Sequence, residues 1–277
     1  MIIDPNDLSE FDDTPDENLL GLSYRDLLAL QIFPFAQTSP LKIRKHIPVE
    51  VLDKLLFFRL CEDLLTIVAR EKSLKLTPKG NLPLKFVREL YENGAIPDEA
   101  IELGISKSFR ENEIISIYAA RQVCTLAGLI KKRNNALSPT IKGQKLRTDR
   151  SALFAKILYA HVWHFDTWQF DGYPDRATGM GNHIIWYMLL KYGQEERTTM
   201  FYADNYLSFF PELIEAFGND YATPIIQFLR CFEVRVFYRF NDWWGFTETT
   251  NNRHSEANTT KTTSLLPAVL EFARHGS

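Results

Sequence analysis

Two sets of side chains in this sequence could bind nucleic acid. Arg121 and Gln122 have the donors and acceptors that read guanine and adenine edges in the major groove of DNA. Five basic residues could contact phosphates or the adjacent minor groove: Lys131, Lys132, Arg133, Lys142 and Lys145. Together they predict a DNA-binding surface in which one helix reads bases and the segment after it holds the backbone.

Positioning these side chains requires a helix followed by a β-hairpin. Apolar residues recur at helical spacing over about 113–127, which predicts a helix with Arg121 and Gln122 on its outer face. Residues 129–138 predict a hairpin whose turn contains two asparagines, since asparagine tolerates the positive φ of tight turns. A recognition helix followed by a basic wing is typical of a winged-helix module.

A short phrase that occurs twice predicts two such modules. Residues 74–80 and 137–143 both read Leu-x-x-Thr-x-Lys-Gly, at an offset of 63 residues. Each copy follows an apolar helical stretch and a turn-like segment, as the end of a wing strand would before the next helix. We therefore expect two related winged-helix modules in tandem.

Other local patterns place the helices around these modules. Residues 23–26 and 108–111 both have the Ser-x-x-acid pattern of a capping box, which opens a helix. Pro48 precedes a longer apolar helical pattern. Glu111 and Glu113 are unfavourable near the start of a recognition helix, because phosphates repel carboxylates.

The predicted fold class is mainly α. We expect tandem winged-helix-like modules with short β-hairpin wings, followed by an α-helical C-terminal domain. The predicted segments are an acidic tail or arm over 1–22, a first module over 23–104, a second module over 105–150 and an aromatic-rich helical domain over 151–277.

Charge is segregated along the chain, although the net charge is only -3. Residues 1–40 sum to -7, residues 41–150 to +8 and residues 151–277 to -4. A basic middle region favours nucleic-acid binding, since lysine and arginine supply most non-specific affinity for phosphates. The alternative is an ordinary solvated surface. The acidic N-terminus is either a disordered leader or an internal mimic of phosphate on the basic region.

Composition favours a globular protein of the cytoplasm. The chain is 45% apolar, but no apolar run approaches the roughly 18 residues of a membrane helix, so we expect no membrane partner. The three cysteines are too dispersed for a metal knuckle or a disulfide framework. A reducing compartment fits this pattern, and we interpret Cys124 and Cys231, which have apolar helical surroundings, as small core residues.

A cluster of histidines and acids in the aromatic-rich region raises the possibility of a metal site. The candidate ligands are His161, His164, Asp166, Asp171 and His183. The spacing is not that of a known zinc motif, and the neighbours are aromatic. Satisfied core histidines are therefore favoured, and we expect no metal and no cofactor.

The C-terminal half otherwise reads as helices. They are predicted over 184–192, 199–210, 224–240 and 265–272, with a loop or short strands over 247–263. Arg230, Arg235 and Arg239 alternate with aromatic residues, an arrangement that either stacks single-stranded bases or pairs with acids such as Glu233.

Four segments carry a resemblance to known bacterial proteins. They are residues 74–83, the second phrase ending at Lys142 and Gly143, the aromatic run 168–173, and residues 261–266. Together they resemble a module found beside the plasmid pRiA4b Orf3-like domain and in related uncharacterised bacterial proteins. The resemblance covers most of residues 50–272 and implies a bacterial, mobile-element-associated protein. No catalytic residue is carried over from it.

Two classes of function follow, and a third is weaker. The first is a non-enzymatic nucleic-acid-binding or regulatory protein that uses residues 50–150, with DNA as partner. The second is a protein-interaction module in which the aromatic C-terminal region docks a partner or a second copy of the chain. The third is a hydrolase, which lacks support because the sequence has no phosphate loop and no nucleophile elbow.

Overall fold

A computed structural model describes residues 4, 7–32, 34–94, 96–105, 109–166, 170–174, 182–218, 222–250 and 258–273. The chain is mainly helical and carries small antiparallel sheets, which confirms the predicted mainly α class.

The described α-helices are α1 (Tyr24–Ile32), α2 (Val49–Leu52), α3 (Leu56–Glu71), α4 (Leu84–Glu92), α5 (Glu99–Glu102), α6 (Ile115–Leu126), α7 (Ile141–Leu146), α8 (Arg150–Trp163), α9 (Asn182–Tyr192), α10 (Thr199–Phe209), α11 (Pro224–Phe232), α12 (Asp242–Trp244) and α13 (Leu265–Val269). The described strands are β1 (Leu41–Ile43), β2 (Leu74–Lys75), β3 (Ile130–Arg133), β4 (Ala136–Pro139), β5 (Arg197–Thr198), β6 (Thr247–Thr249), β7 (Thr259–Thr262) and β8 (Leu270–Phe272). Short 3-10 helices cover Glu17–Leu19 and Pro211–Ala216, and a π-helix covers Glu233–Asn241.

The chain divides into two compact units. Unit 1 comprises Met1–Arg44, Asp171–Asp242 and Phe246–Ser277, and unit 2 comprises Lys45–Phe170 and Trp243–Gly245. Neither unit coincides with one of the four segments predicted from the sequence. The acidic N-terminus, predicted as a separate tail or arm, belongs to unit 1.

The core of unit 2 forms around α3 and α6. The apolar stripe predicted from the sequence is buried on α3, where Leu60, Leu64 and Val68 are nearly inaccessible to solvent. Cys124 of α6 is buried as well, which confirms that it is a core residue, and Cys61 of α3 is buried beside it. Burial, with a smaller contribution from the Cys124 thiol, raises the pKa of Cys61, so this thiol is poorly suited to react.

The two copies of the repeated phrase lie side by side in one sheet of unit 2. The sheet has the strand order β2-β4-β3, and all its pairs are antiparallel. Leu74 of the first copy pairs with Leu137 of the second, and both side chains are buried. The prediction of two modules, each with its own wing, is therefore wrong. Strand β2 of the first copy is the third strand of a sheet whose other two strands form the β3–β4 hairpin, and β4 belongs to the second copy.

The two copies also follow different chain paths. In the first, the Gly80 N–H donates to the Thr77 carbonyl at 2.8 Å, and the chain turns without starting a helix. In the second, Thr140 is the N-cap of α7, and its hydroxyl oxygen accepts from the Gly143 N–H at 2.9 Å. The same Thr-x-Lys-Gly residues therefore form a turn in the first copy and the start of a helix in the second.

In unit 1, the first predicted capping box is present. The Ser23 N–H donates to the Asp26 carboxylate at 3.2 Å, and the Asp26 N–H donates to the Ser23 hydroxyl at 3.0 Å. This reciprocal pair begins α1, which packs against α9. The described part of the acidic arm is held by Arg25, which pairs with Asp13 at 2.8 Å and donates to the Phe11 carbonyl at 2.8 Å. Arg25 therefore ties residues 11 and 13 of this arm to α1.

Two predictions for the C-terminal half need correction. The closing helix, predicted over 265–272, ends at Val269, because the next residues form β8 and pair with β1. The long helix predicted over 224–240 is α-helical only as α11 and then widens into a π-helix. The Asn241 side chain donates to the Val236 carbonyl at 2.7 Å and accepts from the Trp186 indole at 2.9 Å. These hydrogen bonds give the Val236 carbonyl and the Trp186 indole a partner at the end of the π-helix.

Substitution of Gly143 tests the close packing of α7 on the wing. A Cβ added to Gly143 would lie 2.1 Å from the Leu129 carbonyl oxygen, so the backbone must move. We expect Gly143→Ala to lower the free energy of unfolding by about 2 kcal/mol, measured by urea denaturation. The control is Gln144→Ala at the next, exposed position, which should change stability by less than about 0.5 kcal/mol. Equal stability of both variants would contradict the packing.

Candidate nucleic-acid interface

The outer face of the β2-β4-β3 sheet brings three cations together. Lys75, Ala136 and Arg133 occupy one cross-strand row, and Lys131 lies opposite Ser138 two residues away along the strand. Because side chains alternate between the faces of a sheet, all five share the face opposite the buried leucines. Basic side chains therefore stand at both edges, and small residues lie between them.

These residues line a surface cleft, here called the sheet cleft, with a volume of about 550 Å³. Lys75, Lys131 and Arg133 are exposed on it, and Ala136 and Ser138 form its floor. Within the described part of the chain, no aspartate or glutamate lines this cleft. Concentrated positive charge over a floor of small side chains suits the binding of phosphates.

The turn of the wing is fixed by contacts to the first strand segment. Asn134 and Asn135 have φ values of 49° and 54°, as the predicted hairpin turn requires. The Leu76 N–H donates to the Asn135 carbonyl at 2.9 Å, and the Asn135 side chain donates to the Thr77 carbonyl at 2.9 Å. These bonds hold the end of β3, and with it Arg133, against the segment that follows Lys75.

The structure does not bring all of the predicted phosphate contacts together. Lys131 and Arg133 share the sheet cleft, but Lys132 points to the other face, where its ammonium group lies close to Gly80. Lys142 and Lys145 are exposed on α7, outside the cleft lining. Lys75 is a residue of this surface that was not among the predicted phosphate contacts. Its alternation with the buried Leu74 and Leu76 was the available signal.

Arg121 is not placed for base reading. Only 6% of the residue is exposed, and its guanidinium forms a short ion pair with Glu111, which is also buried. Glu111 accepts a second hydrogen bond from the Leu82 N–H at 2.7 Å. The expectation that Arg121 lies on an outer face is therefore corrected. Glu111 was considered unfavourable for a recognition helix, and it is the residue that neutralises Arg121 inside the fold.

Helix α6 as a whole presents little surface to a major groove. It packs against α3, α4 and α8, and Gln122 is only half exposed. Tyr118 contacts the Phe170 ring at 5.1 Å between centroids, which covers more of the helix. Its predicted position, close to 113–127, is confirmed. The second predicted capping box includes Ser108, which lies outside the described residues.

Of the two alternatives for the arginines of 230–239, stacking of bases or pairing with acids, the structure favours pairing with an acid for Arg235. Arg235 is 5% exposed, and its guanidinium binds both oxygens of Asp171, at 2.6 and 2.8 Å. It donates further hydrogen bonds to the carbonyls of Tyr173 and Pro174. The expected partner Glu233 instead accepts from the Thr199 hydroxyl at 2.5 Å. Arg235 is thus a structural residue of unit 1.

Of the three histidines considered as metal ligands, two are buried core residues and the third, His164, is exposed. His161 of unit 2 accepts at Nδ1 from the Trp244 indole at 3.2 Å and lies 4.4 Å from the Phe57 ring. Burial lowers the pKa of His161 to about 3. His183 of unit 1 is buried too, and burial lowers its pKa to about 3. Among the described residues, no group of three or more histidine, cysteine, aspartate or glutamate side chains is placed to hold a metal ion.

The aromatic residues of the C-terminal half are largely internal. In unit 1, the Trp186, Phe228, Phe232 and Phe237 side chains are almost fully buried. Trp168, part of the aromatic run noted in the sequence, lies outside the described residues. The described aromatic residues of unit 1 therefore supply a core more than a docking surface.

No protein-family model matches the chain, and neither a curated protein nor a solved structure matches it. Among the helices of the described residues, none combines the length and the hydropathy that crossing a bilayer requires.

Removing Arg121 should cost stability. Arg121→Ala leaves the buried Glu111 carboxylate without its counter-charge, so we expect the free energy of unfolding to fall by about 3 kcal/mol. The control is Arg110→Ala, which breaks an exposed pair with Glu113 at 3.4 Å and should cost less than about 1 kcal/mol. Urea denaturation measures both. Similar losses for the two variants would contradict a buried, structural role for Arg121.

The buried His161 predicts a pH dependence of stability. Its folded pKa of about 3 lies below the ordinary value of 6.5, so its contribution is complete above pH 6.5 and is lost as the pH falls toward 3. His161→Asn keeps an acceptor for the Trp244 indole but cannot be protonated. Between pH 6.5 and 4.5, the wild type should lose about 2 kcal/mol more than this variant. The same denaturation series on His164→Asn, at an exposed position, should follow the wild type, and parallel profiles for all three proteins would refute the assignment.

Proposed function

We propose that unit 2 binds nucleic acid through the sheet cleft, by contacts to phosphates and without base reading by α6. The observation that carries the proposal is the grouping of Lys75, Lys131 and Arg133 around small residues, in a cleft whose described lining has no carboxylate. Phosphate contacts of this kind supply non-specific affinity and position the polymer.

The order of elements in unit 2 supports a single winged-helix-like module. Helix α3 is followed by β2, then by α4, the short α5 and α6, and finally by the β3–β4 hairpin. The sheet order β2-β4-β3 places the first strand beside the second strand of the wing, as in a winged helix. A fold class does not by itself imply DNA binding, so the proposal depends on the charges of the cleft.

The burial of Arg121 limits the type of binding. With Arg121 paired to Glu111 and Gln122 half exposed, α6 offers few side chains to base edges. The proposed binding is therefore largely independent of sequence. DNA remains the proposed partner, and membership of the bacterial, mobile-element-associated module stays a prediction. Docking through the aromatic C-terminal half has less support, because its described rings are mostly internal.

Charge reversal in the sheet cleft tests the proposal. The variant Lys75→Glu/Lys131→Glu/Arg133→Glu should weaken binding to a fluorescent 20-base-pair duplex of random sequence by at least about tenfold at low salt. Loss of three phosphate contacts should also reduce the slope of log affinity against log salt by roughly 2.7. Fluorescence anisotropy over a salt series measures both quantities.

The control changes the net charge by the same amount elsewhere in unit 2. Lys45→Glu/Lys54→Glu/Lys85→Glu alters three exposed lysines outside the sheet cleft. It should keep most of the affinity and most of the salt slope. Absence of binding by the wild type at low salt, or equal losses in the two triple variants, would overturn the proposal. Circular dichroism checks that each variant is folded.

A further inference from the structure

A second surface of unit 2 combines exposed rings with paired lysines. It is formed by α7 and α8 and is here called the ring platform, comprising Lys142, Lys156, Tyr159 and Trp163. Tyr159 and Trp163 are 39% and 38% exposed, and they are four residues apart on α8. Their centroids are 6.3 Å apart, with 38° between the ring planes. Spacing of four residues puts both rings on the same face of the helix.

The two lysines of the platform stand on helices that pack together, since α7 contacts α8. Partial burial lowers the pKa of Lys156, and the charge of the neighbouring Lys142 lowers it further. Like charges repel each other, and an anion between them would remove the repulsion. A phosphate is an anion of this kind.

The lysine pair and the rings are contiguous. The Lys156 ammonium lies 5.6 Å from the Tyr159 ring centroid, so the charge sits directly beside the first aromatic side chain. The His164 ring is also exposed, and its centroid lies 5.6 Å from that of the Tyr159 ring. A polymer that alternates anionic and flat aromatic groups matches this alternation of charge and rings.

We propose that the ring platform binds single-stranded nucleic acid, with bases stacked on Tyr159 and Trp163 and a phosphate bridging Lys142 and Lys156. Every base has a π face, so stacking of this kind tolerates any sequence. Duplex DNA keeps its bases stacked internally and offers only phosphates to the same surface. The platform is therefore selective for unpaired strands, and it does not require binding in the sheet cleft.

The probe is a fluorescein-labelled oligomer of twelve thymidines, titrated with the full-length chain and followed by anisotropy. Tyr159→Ala/Trp163→Ala should weaken its binding by about tenfold or more, since each stacked base contributes substantially. Tyr159→Phe/Trp163→Phe keeps both rings and should retain wild-type affinity. Lys142→Gln/Lys156→Gln should weaken binding and reduce its salt dependence.

Two controls match these changes in type. Tyr24→Ala removes an exposed ring of unit 1, and Lys85→Gln removes an exposed lysine that lies 4.4 Å from the Phe86 ring centroid. Both should bind the oligomer as the wild type does. Unchanged binding by the double alanine variant, or losses as large in the controls, would refute the ring platform.

Duplex and single strand together separate the two proposals. If the wild type binds the duplex but not the thymidine oligomer, the ring platform is refuted and the sheet cleft stands. If it binds the oligomer through the rings but not the duplex, the ring platform stands and the sheet cleft is refuted. If the triple variant of the sheet cleft loses oligomer binding and the ring-platform variants do not, the ring platform is also refuted.

Discussion

The pairing of Leu74 with Leu137 is the constraint on which the rest of unit 2 depends. Both side chains are buried, and a shift of one residue in either strand would turn a leucine toward solvent and a lysine or alanine toward the core. The register is therefore strongly specified. It places Lys75 in the same row as Arg133, across the small side chain of Ala136. The composition of the sheet cleft is thus a consequence of how the core is filled.

Burial in an ion pair removes one arginine of unit 2 from its positively charged surface. Arg121 and Arg133 belong to the same basic region of the sequence, yet the first is neutralised by Glu111 and the second is exposed. Net charge per segment cannot distinguish these cases, because it counts both arginines alike. Exposed basic side chains of unit 2 lie on the sheet and on α7, whereas α6 serves mainly as a packing element.

Local features of the structure agree with the predictions from the sequence. The apolar period of α6, the capping box of Ser23 and Asp26, and the asparagine turn of the wing each depend on residues a few positions apart, and all three are present. The errors involve distant partners. The strand at 74–75 was assigned to its own module, because its partner β4 lies more than sixty residues later. The final strand was read as helix, because nothing near it in the sequence reveals its pairing with β1.

Unit 1 joins segments that are far apart in the sequence, which affects the order in which its strands can pair during synthesis. Leu41 pairs with Phe272, so β1 has no strand partner until about 230 further residues have been made. At synthesis rates of 5–20 residues per second, that delay is roughly 10 to 50 seconds. Nearly all of unit 2 is complete well before then. Throughout that interval the backbone N–H and C=O groups of β1 lack the strand that they pair with in the folded protein, and an unpaired strand is prone to pair with other chains.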